Sequence, residues 1–374
     1  MPSTELRQSV IRESRRIVVK LGTQLLTDEQ GRLDASYLSS IATQVAELRQ
    51  RGIDVTIVSS GSVGVGCKTL GLTERPTDVG AIQAVAAVGQ SGLMSRWYDA
   101  FKPHDIRVAQ MLLTRSDFED RQRYLNIRNC IGELHEYGAV PIINENDTVS
   151  VEEIRFGDND ILAALVTNSL RADLLVILSV VDGLLDERGD KLDIVHDVLE
   201  ARALVLREKS DLGTGGMESK LEAARLVTDA GEVAVVANGR GQDTLTRLLN
   251  AEKVGTVFVP ANRKLDSKSR WIGMTVRPTG TLTVDDGAVR ALTENGTSLL
   301  AIGIVDITGR FEKGDVAVIR DGRGREVARG LINYDSRECR LIMGKRTDEF
   351  EQILGRRAYD EVIHRDNMVL TPLR

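Results

Sequence analysis

Two clusters of acids and amides lie close together near the middle of the chain. Asn144-Glu145-Asn146-Asp147 follows the apolar run Ala139-Val140-Pro141-Ile142-Ile143. Gly157-Asp158-Asn159-Asp160 directly precedes the apolar run Ile161 to Val166. The first placement is the C-terminal end of a strand, and the second is the N-terminal end of a helix. Ligands of open α/β sheets bind at such ends. Carboxylates and amides packed beside apolar runs cost free energy unless a partner satisfies them. The two clusters therefore point to a ligand or cation. A helix cap at Asp158 or Asn159 accounts for one residue and not for both clusters.

Two lysines have the complementary chemistry. Lys20 ends the apolar run Arg16-Ile17-Val18-Val19 and is followed by Leu21-Gly22-Thr23. An ammonium there suits an anion, with Gly22 letting backbone approach closely; a lysine snorkelling to the surface fits the spacing equally well. Lys220 follows the glycine-rich stretch Asp211-Leu212-Gly213-Thr214-Gly215-Gly216-Met217-Glu218-Ser219 and is expected in the first turn of a helix from Ser219 to Ala230. The macrodipole disfavours a cation at a helix N-terminus, so an anion is expected beside it, as in a phosphate clamp. The turn Ser59-Ser60-Gly61-Ser62-Val63-Gly64-Val65-Gly66 matches neither the dinucleotide fingerprint nor the Walker A loop. It can still offer backbone N–H groups to an anion.

The elements that must position these groups alternate. Strands are expected at 16–23, 54–61, 107–114, 139–143, 173–179, 232–238 and 254–259. Helices are expected at 34–51, where Leu38, Ile41, Val45 and Leu48 share a face, at 79–101, at 117–137 with Asp117 as cap, and after Asp160 as far as Arg171. Gly89 and Gly92 interrupt the second helix and leave its continuity open. The rhythm predicts an α/β fold with a doubly wound, mainly parallel sheet. It breaks at 262–277, where Arg263, Lys264, Lys268, Arg270 and Arg277 face one acid, Asp266. From Thr281 short strands are separated by Asp286-Gly287, Asn295-Gly296, Thr308-Gly309, Lys313-Gly314 and Asp321-Gly322, which reads as a small β-rich domain. The expected organisation is a disordered leader at 1–14, an α/β domain at 15–277 that includes the basic linker 262–277, and a second domain at 278–374.

With 374 residues the chain is long for one core. Its net charge of −6 gives no general attraction to nucleic acid or anionic membrane. Cys67, Cys130 and Cys339 have no metal-ligand spacing and suit a reducing compartment. No apolar run approaches the ~20 residues of a membrane span. A cytoplasmic protein is expected.

Seven stretches in order resemble the glutamate 5-kinase family, part of the amino acid kinase superfamily and carrying a C-terminal PUA domain. They are VVKLGT (18–23), VSSGSVGVG (58–66), AAVGQSGLM (86–94), QMLLTRSDFEDRQRYLN (110–126), PIINENDTV (141–149), GDND (157–160) and LGTGGMESKLEAA (212–224). GTLTVDDGA, ENGTSLLAIGI and EVIHRDNMV resemble that family's PUA domain. The resemblance implies transfer of phosphate from ATP, with Mg²⁺ carried by the nucleotide, to L-glutamate, giving L-glutamyl 5-phosphate for proline synthesis. It also implies inhibition by proline and a homo-oligomer, a dimer or tetramer. On the matching positions it assigns Ser60, Asp147 and Asn159 to glutamate, and Thr214, Gly215, Gly216, Met217, Glu218, Ser219 and Lys220 to the nucleotide phosphates with Lys20. Lys20 and Lys220 would stabilise the transferring group, and Asp158 and Asp160 would hold the lysines or the metal. One departure stands out. The family often carries Thr-Asp after the strand that ends near Leu178, where this chain has Ser179-Val180. The hydroxyl is kept at the nucleotide side and the carboxylate is not.

Two other readings compete. A different superfamily kinase would act on acetylglutamate, aspartate, carbamate or a nucleoside monophosphate; both clusters together with the β-rich tail favour glutamate. An RNA-binding protein is the second, because PUA domains often bind RNA. Residues 278–374 carry 15 Lys+Arg against 16 Asp+Glu, with aromatic residues scattered, so the basic footprint of RNA binding is missing.

Overall fold

The computed structural model describes residues 3–28, 32–150, 158–207, 214–260 and 266–371. The chain divides into two compact units: Met1–Phe118 with Gln122–Lys264, and Leu265–Arg374 with the short stretch Glu119–Arg121.

The first unit is built on eight strands: β1 (Arg16–Leu21), β2 (Asp54–Ser59), β3 (Arg107–Leu113), β4 (Ala139–Glu145), β5 (Leu174–Ser179), β6 (Ile194–Val195), β7 (Val233–Asn238) and β8 (Thr256–Phe258). Their order across the sheet is β3-β4-β2-β1-β5-β7-β8-β6. β1 pairs in parallel with β2 on one side and with β5 on the other. Among the described strands of this sheet only the β7–β8 pairing is antiparallel. Strand order thus diverges on either side of β1, which creates a crevice at the C-terminal ends of β1, β2, β4 and β5. The strands are continuous apolar runs because both faces of the sheet are covered. Ile17, Val19 and Leu21 join one large buried cluster, while Val18 and Lys20 point to the opposite face.

The helix Val79–Phe101 is unbroken over 23 residues. Its glycines answer to packing. A side chain at Gly89 would come within 1.8 Å of the Ser62 carbonyl oxygen, and one on Gly66 within 1.9 Å of the Val85 carbonyl oxygen. The helix Ser62–Thr69 can therefore lie directly against it. The expected single helix at 117–137 is two, Arg115–Glu119 and Arg121–Glu136. Asp117 is not the cap residue but reaches back to accept from the Thr114 N–H (2.8 Å).

Two expected segments differ. The leader at 1–14 is not disordered where it is described: Ser3–Ile11 is a helix, with Ile11 in the core and Arg7 fully buried. The Arg7 guanidinium donates to the carbonyls of Glu252 (2.9 Å), Val254 (2.8 Å) and Gly255 (3.1 Å) and pairs with Asp193 (2.6 Å). These carbonyls come from distant sequence, so nothing local announces the helix. The basic segment is not a tail of the first unit. From Asp266 onward it belongs to the second, where Trp271 and Ile272 are buried and Gly273 accepts from Arg329 (3.1 Å). Residues 261–265 lie outside the described residues.

The second unit carries β9 (Gly280–Val284), β10 (Ile304–Gly309), β11 (Val316–Arg320), β12 (Glu326–Leu331) and β13 (Met368–Leu370), ordered β10-β9-β11-β12-β13. It has its own apolar cluster, in which Leu282, Ile319 and Phe350 are buried. Among the described residues no helix is long and apolar enough to cross a membrane.

Candidate active site

The site grows from the helix Asp158–Leu170, whose N-terminus stands at the crevice. Its second and third residues serve different halves of it. Asp160 is 1% exposed, and each of its oxygens meets a cation. Oδ1 lies 2.6 Å from Lys20 Nζ. Oδ2 lies 3.1 Å from Lys220 Nζ and accepts from Ser219 Oγ at 2.8 Å. Burial opposes the ionised form of Asp160, but Lys20 and Lys220 outweigh it and hold the carboxyl below its ordinary range. Its place in the first turn of a helix adds to that. Burial lowers Lys20, against the pull of Asp160 and with the push of Lys220.

The glycine-rich approach delivers Lys220 differently from expectation. The helix begins at Thr214 rather than Ser219, so Gly215, Gly216 and Met217 form its first turn. Lys220 therefore sits in the second turn and donates to the Gly216 carbonyl one turn back (2.9 Å). The expected first-turn placement is corrected, because glycine at 215 and 216 does not stop a helix held by packing against Asp158–Leu170. Met217 is half-buried, and Glu218 is exposed and paired to Arg202. Gly215 contributes only backbone, and the roles expected of the Asp158 and Thr214 side chains lie outside what the structure describes.

The other half is built on an amide network, with the carboxyls of Glu145 and Asp147 beside it. Asn159 donates both amide hydrogens within the protein, to Ser60 Oγ (2.8 Å) and to Asn144 Oδ1 (3.0 Å). The Glu145 N–H donates to Asn144 Oδ1 (2.9 Å) and Asn159 Oδ1 (3.3 Å). Asn144 donates in turn to Gln90 Oε1 (2.9 Å) on the helix Val79–Phe101. Ser60 precedes Gly61, whose φ of +114° is left-handed and favours glycine. That turn sends Ser62 Oγ to Asp147 Oδ2 (2.9 Å). Burial pushes the Asp147 carboxyl up, against the Ser62 hydrogen bond and the charge of Arg75.

Ser179 ends β5, next to β1 in the sheet, and its carbonyl accepts from the Gly239 N–H (2.8 Å). Asp182 is held by Asn238 (2.8 Å) and does not stand in register for the carboxylate that Val180 replaces. The structure thus brings Lys20, Asp160, Ser219 and Lys220 into one charged group and Ser60 and Asn159 into one amide group. Asp147 joins Ser62 beside the latter. Sequence reasoning did not name Ser62, Gln90 or Asn144 as site residues, although Asn144 stood within the first cluster.

Two lysines against one carboxylate leave a surplus positive charge in a nearly dry place, which fits a phosphate-bearing ligand. Among the described residues no group of three or more His, Cys, Asp or Glu side chains gathers to hold a metal ion. Both Asp160 oxygens already face ammoniums, so the donor set fits a divalent cation carried by the phosphates.

Residues 15–238 match the model of the amino acid kinase family, and residues 280–354 match that of the PUA domain. The chain is 44% identical over 376 residues to a glutamate 5-kinase of Geobacter sp. (strain M21), covering 98% of this chain and 100% of that one. It is 43% identical to a glutamate 5-kinase of Caldanaerobacter subterraneus subsp. tengcongensis, covering 95% and 97%. Among solved structures, carbamate kinase from Giardia lamblia bound to AMP-PNP superposes with a TM-score of 0.50 at 17% identity, covering 67% of this chain and 99% of that one. At that identity the likeness is one of fold.

Proposed function

This chain belongs to the glutamate 5-kinase family, and on that premise we propose that it transfers the γ-phosphoryl group of ATP to the side-chain carboxylate of L-glutamate, the first step of proline biosynthesis. The products are ADP and L-glutamyl 5-phosphate. A carboxylate oxygen bonds to the γ-phosphorus as the bond to the β,γ-bridging oxygen breaks. The observation that carries this reading is the buried pair Lys20 and Lys220 on Asp160.

Phosphoryl transfer is mainly positioning and charge stabilisation. Here two anions must meet, and their repulsion is the obstacle. Lys20 and Lys220 place positive charge on the transferring group. Asp160 keeps the two ammoniums together without cancelling both. The glutamate carboxylate is ionised at neutral pH, so no general base is required. Asp147 receives the α-ammonium of the acceptor. Ser60, whose oxygen is occupied by Asn159, turns its own proton toward acceptor oxygen. The stretch Thr214 to Lys220 takes the nucleotide phosphates, and Ser179 lies on the nucleoside side. Mg²⁺ arriving on the phosphates would supply a further positive charge to the same oxygens.

The same proposal includes inhibition by proline, a homo-oligomer and a cytoplasmic location. The free cysteines Cys67, Cys130 and Cys339 support the last. The test is to mix protein, ATP, Mg²⁺ and hydroxylamine with glutamate, aspartate or N-acetylglutamate and measure hydroxamate. A glutamate-only signal is expected. A signal with another acid would reassign the acceptor pocket, and none with any acid would overturn the reading. Proline titrated into the glutamate reaction checks the inhibition, and light scattering checks the oligomer.

A further inference from the structure

We infer that Gln90 is a positioning residue that fixes the hydrogen-bond polarity of the acceptor pocket through Asn144. The inference rests on the glutamate reading above and goes beyond its list of binding residues. The starting point is the one donor whose direction is certain. A backbone N–H can only donate, and the Glu145 N–H points at Asn144 Oδ1 (2.9 Å) and Asn159 Oδ1 (3.3 Å). Both amides are thereby oriented, with oxygen toward Glu145 and nitrogen away from it.

The remaining directions follow. Asn144 Nδ2 must find an acceptor, and at 2.9 Å it finds Gln90 Oε1, a buried side chain. Asn159 Nδ2 spends its two hydrogens on Asn144 Oδ1 and Ser60 Oγ. Ser60 is then an acceptor toward Asn159, which leaves its proton for the substrate. Asn159 itself has no amide hydrogen left to give a ligand. It acts by setting Ser60 rather than by donating to glutamate. If Gln90 offered nitrogen instead of oxygen, Asn144 would face donor to donor or would rotate. A rotated Asn144 would present nitrogen to the Glu145 N–H and to Asn159, and the setting of Ser60 would be lost.

Gln90 lies on a helix fixed against Ser62–Thr69 by the Gly66 and Gly89 contacts, so its amide has little room to retreat. The chain Glu145, Asn144, Gln90 on one side and Asn159, Ser60 on the other is a neutral relay. It would discriminate by direction, because reversing one member reverses the next.

The test is a double-mutant cycle of Gln90→Glu and Asn144→Asp, with Gln90→Met beside it. Each variant is read by KM for glutamate, kcat, KM for ATP and Tm. Gln90→Met removes the acceptor at similar length, and a buried unpaired amide should raise glutamate KM on the order of tenfold. The ATP KM and kcat should change less than about threefold. In the single Asn144→Asp variant Gln90 can turn its nitrogen to the new carboxylate. In the double variant two carboxylates face each other, and at an assay pH high enough to keep both ionised neither can donate. Its glutamate KM should exceed the product of the two single effects by about tenfold or more. A product equal to the double effect would overturn the relay. So would a Gln90→Met variant in which both KM values, kcat and Tm all worsen together, as a merely structural role would give. Wild-type protein that gives no glutamyl hydroxamate would instead sink the glutamate reading. Wild-type activity with an unmoved KM in Gln90→Met would sink the relay alone.

Discussion

The two ends of the site solve opposite problems with different chemistry. At the junction of β1 and the Thr214–Asp229 helix, full charges are buried and paired: Lys20, Asp160 and Lys220. At the ends of β2 and β4, the groups of the relay are neutral dipoles, buried at Gln90 and Asn144 and half-buried at Ser60 and Asn159. Surplus charge suits a ligand that must be drawn in and stabilised as charge moves. Fixed dipoles suit a ligand that must be held one way round. A pocket lined by more lysines at the acceptor end would bind a carboxylate tightly, but would also invite the nucleotide phosphates. With the roles proposed above, the separation teaches that selectivity between two anionic substrates comes from withholding charge as much as from placing it.

The strongest way to break this contrast is Asp160→Ala. It leaves two buried ammoniums facing each other without a counter-charge, and removing one member of a buried ion group costs about 3–5 kcal/mol. A large fall in Tm together with loss of turnover is expected. In the intact protein the Asp160 contribution is present above the ordinary aspartate pKa and is lost as pH falls through its lowered value. A variant of unchanged Tm would mean that the lysines do not need it.

Lys220→Ala should be more selective. Asp160 keeps Lys20, so the fold should persist, while kcat falls by about 10²–10³ or more through loss of charge on the transferring group. Steady-state kinetics with circular dichroism separates the two. Near-normal turnover would remove Lys220 from the phosphate end.

Asp147→Asn sharpens the contrast from the other side. Glutamate KM should rise on the order of tenfold, as expected for a lost charge-assisted hydrogen bond, with kcat much less affected. Stability should move oppositely to that of Asp160→Ala. Burial raises Asp147, so the folded state holds its proton more tightly than the unfolded chain, and ionisation works against folding as pH rises through that range. The amide introduced by Asp147→Asn escapes this, so the variant's Tm at neutral pH should exceed wild type, with the gain shrinking below the unfolded pKa near ~3.9. A lower Tm at neutral pH would place Asp147 with the charged group.

The charged end was legible in the sequence for a physical reason. A lysine ending an apolar strand and an acid opening an apolar helix are locally costly, and cost is visible without a structure. The parallel sheet was legible too, through continuous apolar runs in β1, β5 and β7. The neutral end was not. Gln90 sits in a helix rich in small residues, where one amide looks like any solvated side chain, and its partner Asn144 is far away in sequence. Arg7 escaped notice similarly, since its acceptors are carbonyls, which every residue has. Gly89 and Gly92 suggested a break because helix propensity is local, whereas the contact that requires Gly89 is with another helix. The domain boundary slipped because the basic residues of 262–277 hid the apolar Trp271 and Ile272.

Asn159 and Asp160 are consecutive residues of one helix, and that adjacency has a metric consequence. On the proposed assignment, one peptide unit joins the carrier of the acceptor pocket to the carrier of the phosphate pocket. The pockets cannot slide relative to each other without breaking the helix's first turn, so the interval between them acts as a ruler. An acceptor shorter by one methylene could be anchored at its amino-acid end or brought to the phosphorus, but not both. Chain-length selection would then need no wall at the bottom of a pocket, and enlarging or shrinking side chains around the acceptor would be a poor way to retune it.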